Sequence, residues 1–203
     1  MKNQVFKGEA LSRTKVKNRI IRLFNETNEE ERFDWYQDAN DFALKILLSN
    51  PKVNHSQVIG IISALSPVKT WSQNKACAVS FIENGEHKHM KQFGDKAQRI
   101  LESDGTDESI LSILNGRKIS AFYMNIKYPQ HGANVTIDRH ALSIALGRWV
   151  TDLEYSGMTA KQYIFFQNCY ILASEQAKVT PLIMQSSTWV KFRKIKGTYK
   201  TNR

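Results

Sequence analysis

The chain has 203 residues, 41% hydrophobic and 24% charged, with a formal net charge of +10 and two cysteines. It is long enough to bury a core in one domain or two small helical lobes. Cys77 and Cys169 stand far apart and no apolar run approaches roughly 18 residues, which excludes a disulfide framework, a four-cysteine cluster site and a membrane-spanning helix. The start, Met1-Lys2-Asn3-Gln4, runs into charge and not into the apolar stretch of about 7 to 15 residues that a signal peptide needs, so a cytoplasmic protein is expected.

The charge is concentrated at the ends. Residues 1–24 hold seven Lys/Arg against Glu9 alone, and residues 191–203 hold six with no acid. Such regions are either arms that neutralise phosphates or solvated tails. Val16, Ile20, Leu23 and Phe24 recur at helical spacing with Arg13, Lys17 and Arg19 on other faces, which predicts a basic amphipathic helix.

Further along, Thr27 with Glu30 reads as a capping box opening a helix that turns Phe33, Tyr36, Phe42, Ile46 and Leu47 inward and stops before Pro51. Helices follow over about 55–65, broken by Pro67, over 71–82, ending near Gly85, and over 96–102. Thr106 or Asp107 can cap a short helix over 109–114, after which Asn115-Gly116 reads as a turn. The remaining helices are expected near 117–128, 138–150, 160–176 and 181–193. Only residues 135–137 hint at a strand, so the fold class is all-α. Internal repeats, low-complexity tracts and Gly-rich phosphate loops are missing. His87 and His89 form an i, i+2 pair in a polar turn without carboxylates around them, so no metal site is expected, and no cofactor.

The stretch richest in chemistry runs from Asn115 to His140. Asn115-Gly116-Arg117-Lys118 opens one helix and Ile137-Asp138-Arg139-His140 the next, which brings an amine and a carboxylate to two helix starts. An amine can attack the sugar carbon that holds a base. A carboxylate can activate the nucleophile or stabilise the positive sugar ring that forms as the base leaves.

Over residues 54–150 the chain resembles the helix-hairpin-helix DNA glycosylase superfamily, the endonuclease III-like enzymes. Val58-Ile-Gly-Ile-Ile-Ser-Ala-Leu65 followed by Asn74-Lys75-Ala76 is similar to the family's early helix and the start of the next. Lys96-Ala97 with Ile100 is similar to the helix that precedes the hairpin. Leu114-Asn115-Gly116-Arg117-Lys118 looks like the hairpin with its catalytic lysine, and Val135-Thr136-Ile137-Asp138-Arg139-His140 is similar to the apolar-Asp-x-His signature. The segments keep the family's order, with about 20 residues between lysine and aspartate.

The resemblance implies one glycosylase-like unit over 1–203 with two lobes and a cleft between them. The middle of the chain, with its hairpin near 114–118, would form one lobe. Residues 1–50 and 151–193 would form the second, and 194–203 a basic tail. A nucleotide would be extruded from duplex DNA, Asp138 would support departure of the base, and Lys118 in its neutral form could attack the sugar and form a Schiff base, adding abasic-site lyase activity. Asn115, Gly116 and Arg117 are the expected phosphate contacts, with Arg139, His140, Lys69, Trp71, Gln73 and Asn74 as further DNA contacts. A monomer in a bacterial or phage-infected cell is assumed.

Three departures mark this chain. The hairpin keeps one glycine of two and is a residue shorter. Residues 65–73 replace the loop from which relatives push a polar side chain into the gap left by the extruded base, leaving Leu65 or Trp71 as the wedge. The cysteine cluster of the iron-sulfur members is missing. Each candidate also has a plainer explanation: Lys118 as a solvated lysine, Asp138 as a helix N-cap, His140 as a core histidine, and the Phe122-Tyr123 and Tyr163-Phe165-Phe166 groups as core. Gln185, Ser186, Trp189 and Arg193 share a late helix whose edge could face the cleft. Besides excision, two functions are consistent with the residues: a binding protein that keeps the fold without the chemistry, and an enzyme that uses nucleotide extrusion to exchange or remodel a base.

Overall fold

A computed structural model describes residues 4–131 and 134–197. Among them it contains eleven α-helices and one two-stranded hairpin, so the protein is mostly helical. The chain divides into two compact units, one drawn from Met1–Trp35 with Gln130–Lys200 and the other from Tyr36–Pro129.

The first unit begins with an antiparallel hairpin, β1 (Gln4–Phe6) and β2 (Glu9–Leu11), in which Val5 pairs with Ala10. Lys7 and Gly8 both take positive φ, 48° and 81°, the conformation a two-residue hairpin turn requires. Alternation then buries Phe6 and Leu11. This hairpin and α1 (Arg13–Asn25), capped by Ser12, replace the single basic helix expected at this end. The spacing of Val16, Ile20 and Phe24 does set the buried face of α1.

The same unit holds α8 (Arg139–Leu146), α9 (Asp152–Ser156), α10 (Ala160–Ala177) and α11 (Pro181–Ile195). α1, α8, α10 and α11 pack on one another around Val135, Ile137, Phe166, Tyr170 and Met184, all fully buried. Tyr163 and Phe165 belong to this core as well. Residues 135–137 are buried but irregular, not a strand, and α8 stops at Gly147, whose φ of 68° ends the helix before the expected Val150.

The second unit holds α2 (Trp35–Ser49), α3 (His55–Ala64), α4 (Trp71–Asn84), α5 (Lys91–Leu101), α6 (Asp107–Leu114) and α7 (Arg117–Lys127). α3 is its centre, with α4, α5, α6 and α7 packed around it. Its run from Ser56 to Ala64 is therefore buried on every side, which is why its sequence lacks an amphipathic rhythm. A Cβ on Gly60 would meet Ile110 at 2.9 Å and Ile100 at 3.0 Å, so the glycine sets how closely α5 and α6 approach. Asn40 donates to the Ile126 carbonyl at 2.8 Å and joins α2 to the end of α7.

The capping box before α2 sits one residue later than the sequence suggests. Asn28 and Glu31 form it around a 3₁₀ turn, Glu29–Glu31, while Thr27 donates to the Phe24 carbonyl at 2.6 Å. Both Thr-x-x-Glu and Asn-x-x-Glu satisfy the pattern. Glu31 decides between them, because it is buried and meets Lys194 at 3.1 Å and Lys191 at 3.5 Å. Those two cations of the C-terminal basic region are thus helical and paired, while residues 198–203 lie outside the described residues.

Candidate functional site

Asp138 is the N-cap of α8, and its Oδ1 accepts from the Ala141 N–H at 2.7 Å. Capping leaves the second oxygen over. Oδ2 accepts the indole N–H of Trp189, on α11, at 2.9 Å. The carboxylate is thus fixed in position and rotation by two helices of one unit, and each oxygen retains a lone pair for a further donor.

The approach to Asp138 is also clamped. Ile137 donates its N–H to the Tyr163 hydroxyl at 3.1 Å, and its carbonyl accepts from the Tyr155 hydroxyl at 2.7 Å. Gln167 donates to the Val135 carbonyl at 2.9 Å, and Tyr170 to that of Ala141 at 3.0 Å. Burial and the charge of Asp138 push the Tyr155 and Tyr170 hydroxyls well above the ordinary tyrosine range, so both stay protonated donors.

Around this carboxylate lies an aromatic and cationic shell. His140 meets Trp149, Trp189 and Phe192 with ring centroids 5.8, 6.1 and 5.9 Å away. Arg193 covers Trp189 at 4.7 Å, and Arg139 covers Trp149 at 4.9 Å while pairing with Asp152 at 3.3 Å. Burial holds His140 below the usual imidazole range, with Arg193 and Arg139 acting the same way and the Asp138 charge opposing them. The ring is therefore neutral at pH 7, and its buried Nδ1 has no hydrogen-bond partner.

Lys118 belongs to the other unit, in the first turn of α7, half-buried and next to exposed Arg117. Asn115 ends α6 in the left-handed conformation (φ 42°), which Asn tolerates better than most residues. Gly116 is extended, and a Cβ there would meet nothing closer than 3.5 Å. No side chain caps α7, so its first backbone N–H groups are left for an anion or water. Lys96 donates to the Leu114 carbonyl at 2.5 Å and closes the preceding helix.

The segment 65–74 is built differently from the expected wedge loop. Leu65 is fully buried, so it cannot enter a duplex, and Trp71 packs edge-on against Phe42 at 5.9 Å beneath Lys75. At the tip stands Val68, 84% exposed with φ 53°, a strained conformation for a β-branched residue. Gln73 forms the capping box of α4 with Thr70, and Lys69 donates to the Lys88 carbonyl at 2.8 Å. Asn74 is buried, so it does not face solvent, and both polar atoms of its side chain lack partners.

One polar cluster escaped the sequence reading. Asp107, at the start of α6, accepts from the Tyr123 and Tyr128 hydroxyls at 2.5 Å each and from Lys127 at 3.1 Å, and Lys127 also bonds Ser56. Burial alone would raise the Asp107 pKa, but the bonds from Tyr123, Tyr128 and Lys127 and the lysine's charge lower it to about 2. Its residues are spread from 56 to 128, and the only local signal was that an Asp stood where a helix begins. Among the described residues no group of three or more His, Cys, Asp or Glu could hold a metal ion, and no helix is long and apolar enough to cross a membrane.

Residues 2–196 match DUF7178, a family of unknown function, and the chain belongs to that family. No curated protein and no solved structure matches it.

Proposed function

We propose that the protein acts on DNA as a glycosylase-like enzyme of the helix-hairpin-helix type, with Asp138 supporting departure of an extruded base. The observation that carries this reading is the second bond to Asp138. An N-cap needs one carboxylate oxygen, and here Trp189 orients the other within a shell of aromatic rings and guanidinium groups. A fixed negative charge of this kind would stabilise an oxocarbenium-like sugar without reorganising at the moment of reaction. The aromatic faces and Arg139 and Arg193 suit a base and its flanking phosphates.

Asn115, Gly116 and Arg117 would take a phosphate on the uncapped start of α7. Asn115 supplies the positive φ for which hairpins ordinarily use a glycine, which accounts for the missing one. Lys118, directly after them, is the candidate for Schiff-base chemistry: its amine would add to the aldehyde carbon of an abasic sugar with loss of water. Borohydride trapping on duplex DNA carrying an abasic site tests this without knowing the base. A covalent complex that is lost in Lys118→Ala supports a bifunctional enzyme. No complex, with DNA still bound at low salt, removes the lyase step and leaves Asp138 alone.

A second reading, a DNA-binding protein without chemistry, is favoured by one fact: each Asp138 oxygen already accepts a hydrogen bond from within the protein, which a purely structural carboxylate would also do. In that case Asp138→Asn and Lys118→Ala leave the DNA-dependent function unchanged.

A further inference from the structure

A cavity of about 760 Å³ opens on the unit Tyr36–Pro129. It is open to solvent on one side, and its size falls in the range of small-ligand sites, roughly 300–1,000 Å³. One face of α4 forms its wall, where Cys77 and Ala76 give an apolar floor and Gln73 and Ser80 add polar groups. Lys69 and Lys88 bring two positive charges against the single carboxylate of Glu86.

The imidazole of His87 completes the lining, and packing fixes it. Its ring lies 6.0 Å from that of Phe81, and a Cβ on Gly94 would meet its Nε2 at 1.9 Å, so only glycine at position 94 admits the ring. The Nδ1 of this ring is buried and has no hydrogen-bond partner. The loops around the cavity are tied to each other. Lys69 donates to the Lys88 carbonyl at 2.8 Å, and His89, its ring tilted by 37° against that of Phe93 at 4.6 Å, bonds the Pro67 backbone. The site is therefore formed before any ligand arrives.

We propose that this cavity binds a nucleotide: its phosphate between Lys69 and Lys88, its base on the apolar floor beside the His87 ring, and the base edge read by Ser80 and the amide nitrogen of Gln73. The charge balance selects an anion. The floor selects a body larger and flatter than phosphate. After its bond to Lys88, Lys69 still has two N–H donors for phosphate oxygens. The site uses neither Asp138 nor Lys118, so the proposal stands without the excision reading, and it gives Lys69 and Gln73, expected from the sequence as DNA contacts, a nucleotide ligand of their own.

Isothermal titration of the full chain with each of the four 2′-deoxynucleoside monophosphates, with a six-residue oligothymidylate and with inorganic phosphate tests it. Cys77 is buried but lines the cavity with 7% of its surface exposed, so its slow thiol modification locates the bound probe, while Cys169 is fully buried with its thiol pushed up to about 12 by burial. The expected result is binding of at least one nucleotide probe that slows Cys77 modification. Affinity should fall at least about tenfold in Lys69→Ala/Lys88→Ala, and be lost in Ser80→Trp, which fills the cavity. Protection by a mononucleotide assigns the site to free nucleotides; protection by the oligonucleotide alone assigns it to a nucleotide within a strand. Protection by phosphate equal to that by nucleotides, protection unchanged in both variants, or no binding of any nucleotide probe at about 10 mM would overturn the proposal.

Discussion

The indole N–H of Trp189 holds Oδ2 of Asp138 at 2.9 Å, while Oδ1 caps α8. Two helices separated by the whole of α9 and α10 thus share one carboxylate. Replacing Trp189 by Phe keeps an aromatic ring beside His140 and Arg193 but removes the donor. A hydrogen bond to a charged group contributes about 1.5–3 kcal/mol, and the half-exposed setting puts the expected loss at the lower end. Urea unfolding of Trp189→Phe against Trp189→Phe/Asp138→Asn measures it: the second change should destabilise far less in the Phe background than in the natural chain.

The Asp107 cluster makes stability depend on acid. Asp107 has a folded-state pKa of about 2, below its value in an unfolded chain, so its contribution is fully present above about pH 4. It is lost as pH falls through that value toward 2. The contribution is about 1–2 kcal/mol after allowing for partial exposure. Denaturation midpoints between pH 5 and 2 should fall more steeply for the natural chain than for Asp107→Asn, which starts less stable.

Glu31 behaves in the same sense. Burial opposes ionisation, but the Asn28 backbone bond and the charges of Lys194 and Lys191 hold its carboxyl below the usual range. Glu31→Gln keeps a capping acceptor and loses the ion pairs, which should destabilise by about 1–3 kcal/mol above pH 5. Thermal unfolding at pH 7 checks this.

Much of the helical scaffold is legible in the sequence, because period and punctuation are local signals. Val16, Ile20 and Phe24 mark the buried face of α1, Gly85 ends α4 with a φ of 71°, and Thr180 with Pro181 opens α11. The hairpin Gln4–Leu11 is hidden because its turn, Lys7-Gly8, sits in what reads as a run of charge. Leu65 passes for an exposed wedge candidate because nothing local reveals that α3 is enclosed on all sides. Asp138 stands out as a residue before a helix, and Trp189 as one of four on a helix edge. Their bond spans 51 positions, and no local pattern encodes it. The Asp107 cluster is hidden for the same reason.

Val68 carries a conformation that favours glycine or asparagine. Val68→Gly should relieve about 1–2 kcal/mol of strain, offset by roughly 0.5–1 kcal/mol of extra chain entropy. A net stabilisation of up to about 1 kcal/mol is expected in urea unfolding.

At Gly116 the expectation is a separation of fold from binding. An added methyl meets only ordinary contacts, so Gly116→Ala should shift stability by no more than about 0.5 kcal/mol. The methyl would nevertheless stand where a phosphate approaches the α7 amides. DNA affinity at low salt should fall several-fold, read by fluorescence anisotropy across a salt series.

The most direct measurement is a count of aldehyde-reactive abasic sites formed when the natural chain and Asp138→Asn are incubated with bacterial and phage genomic DNA, with binding of both proteins measured in parallel. Accumulation of sites with the natural chain, and at least about a hundredfold less with Asp138→Asn at equal DNA affinity, is the expected result. Equal accumulation with both proteins, or none with either while both bind DNA, would contradict a role for Asp138 in base release.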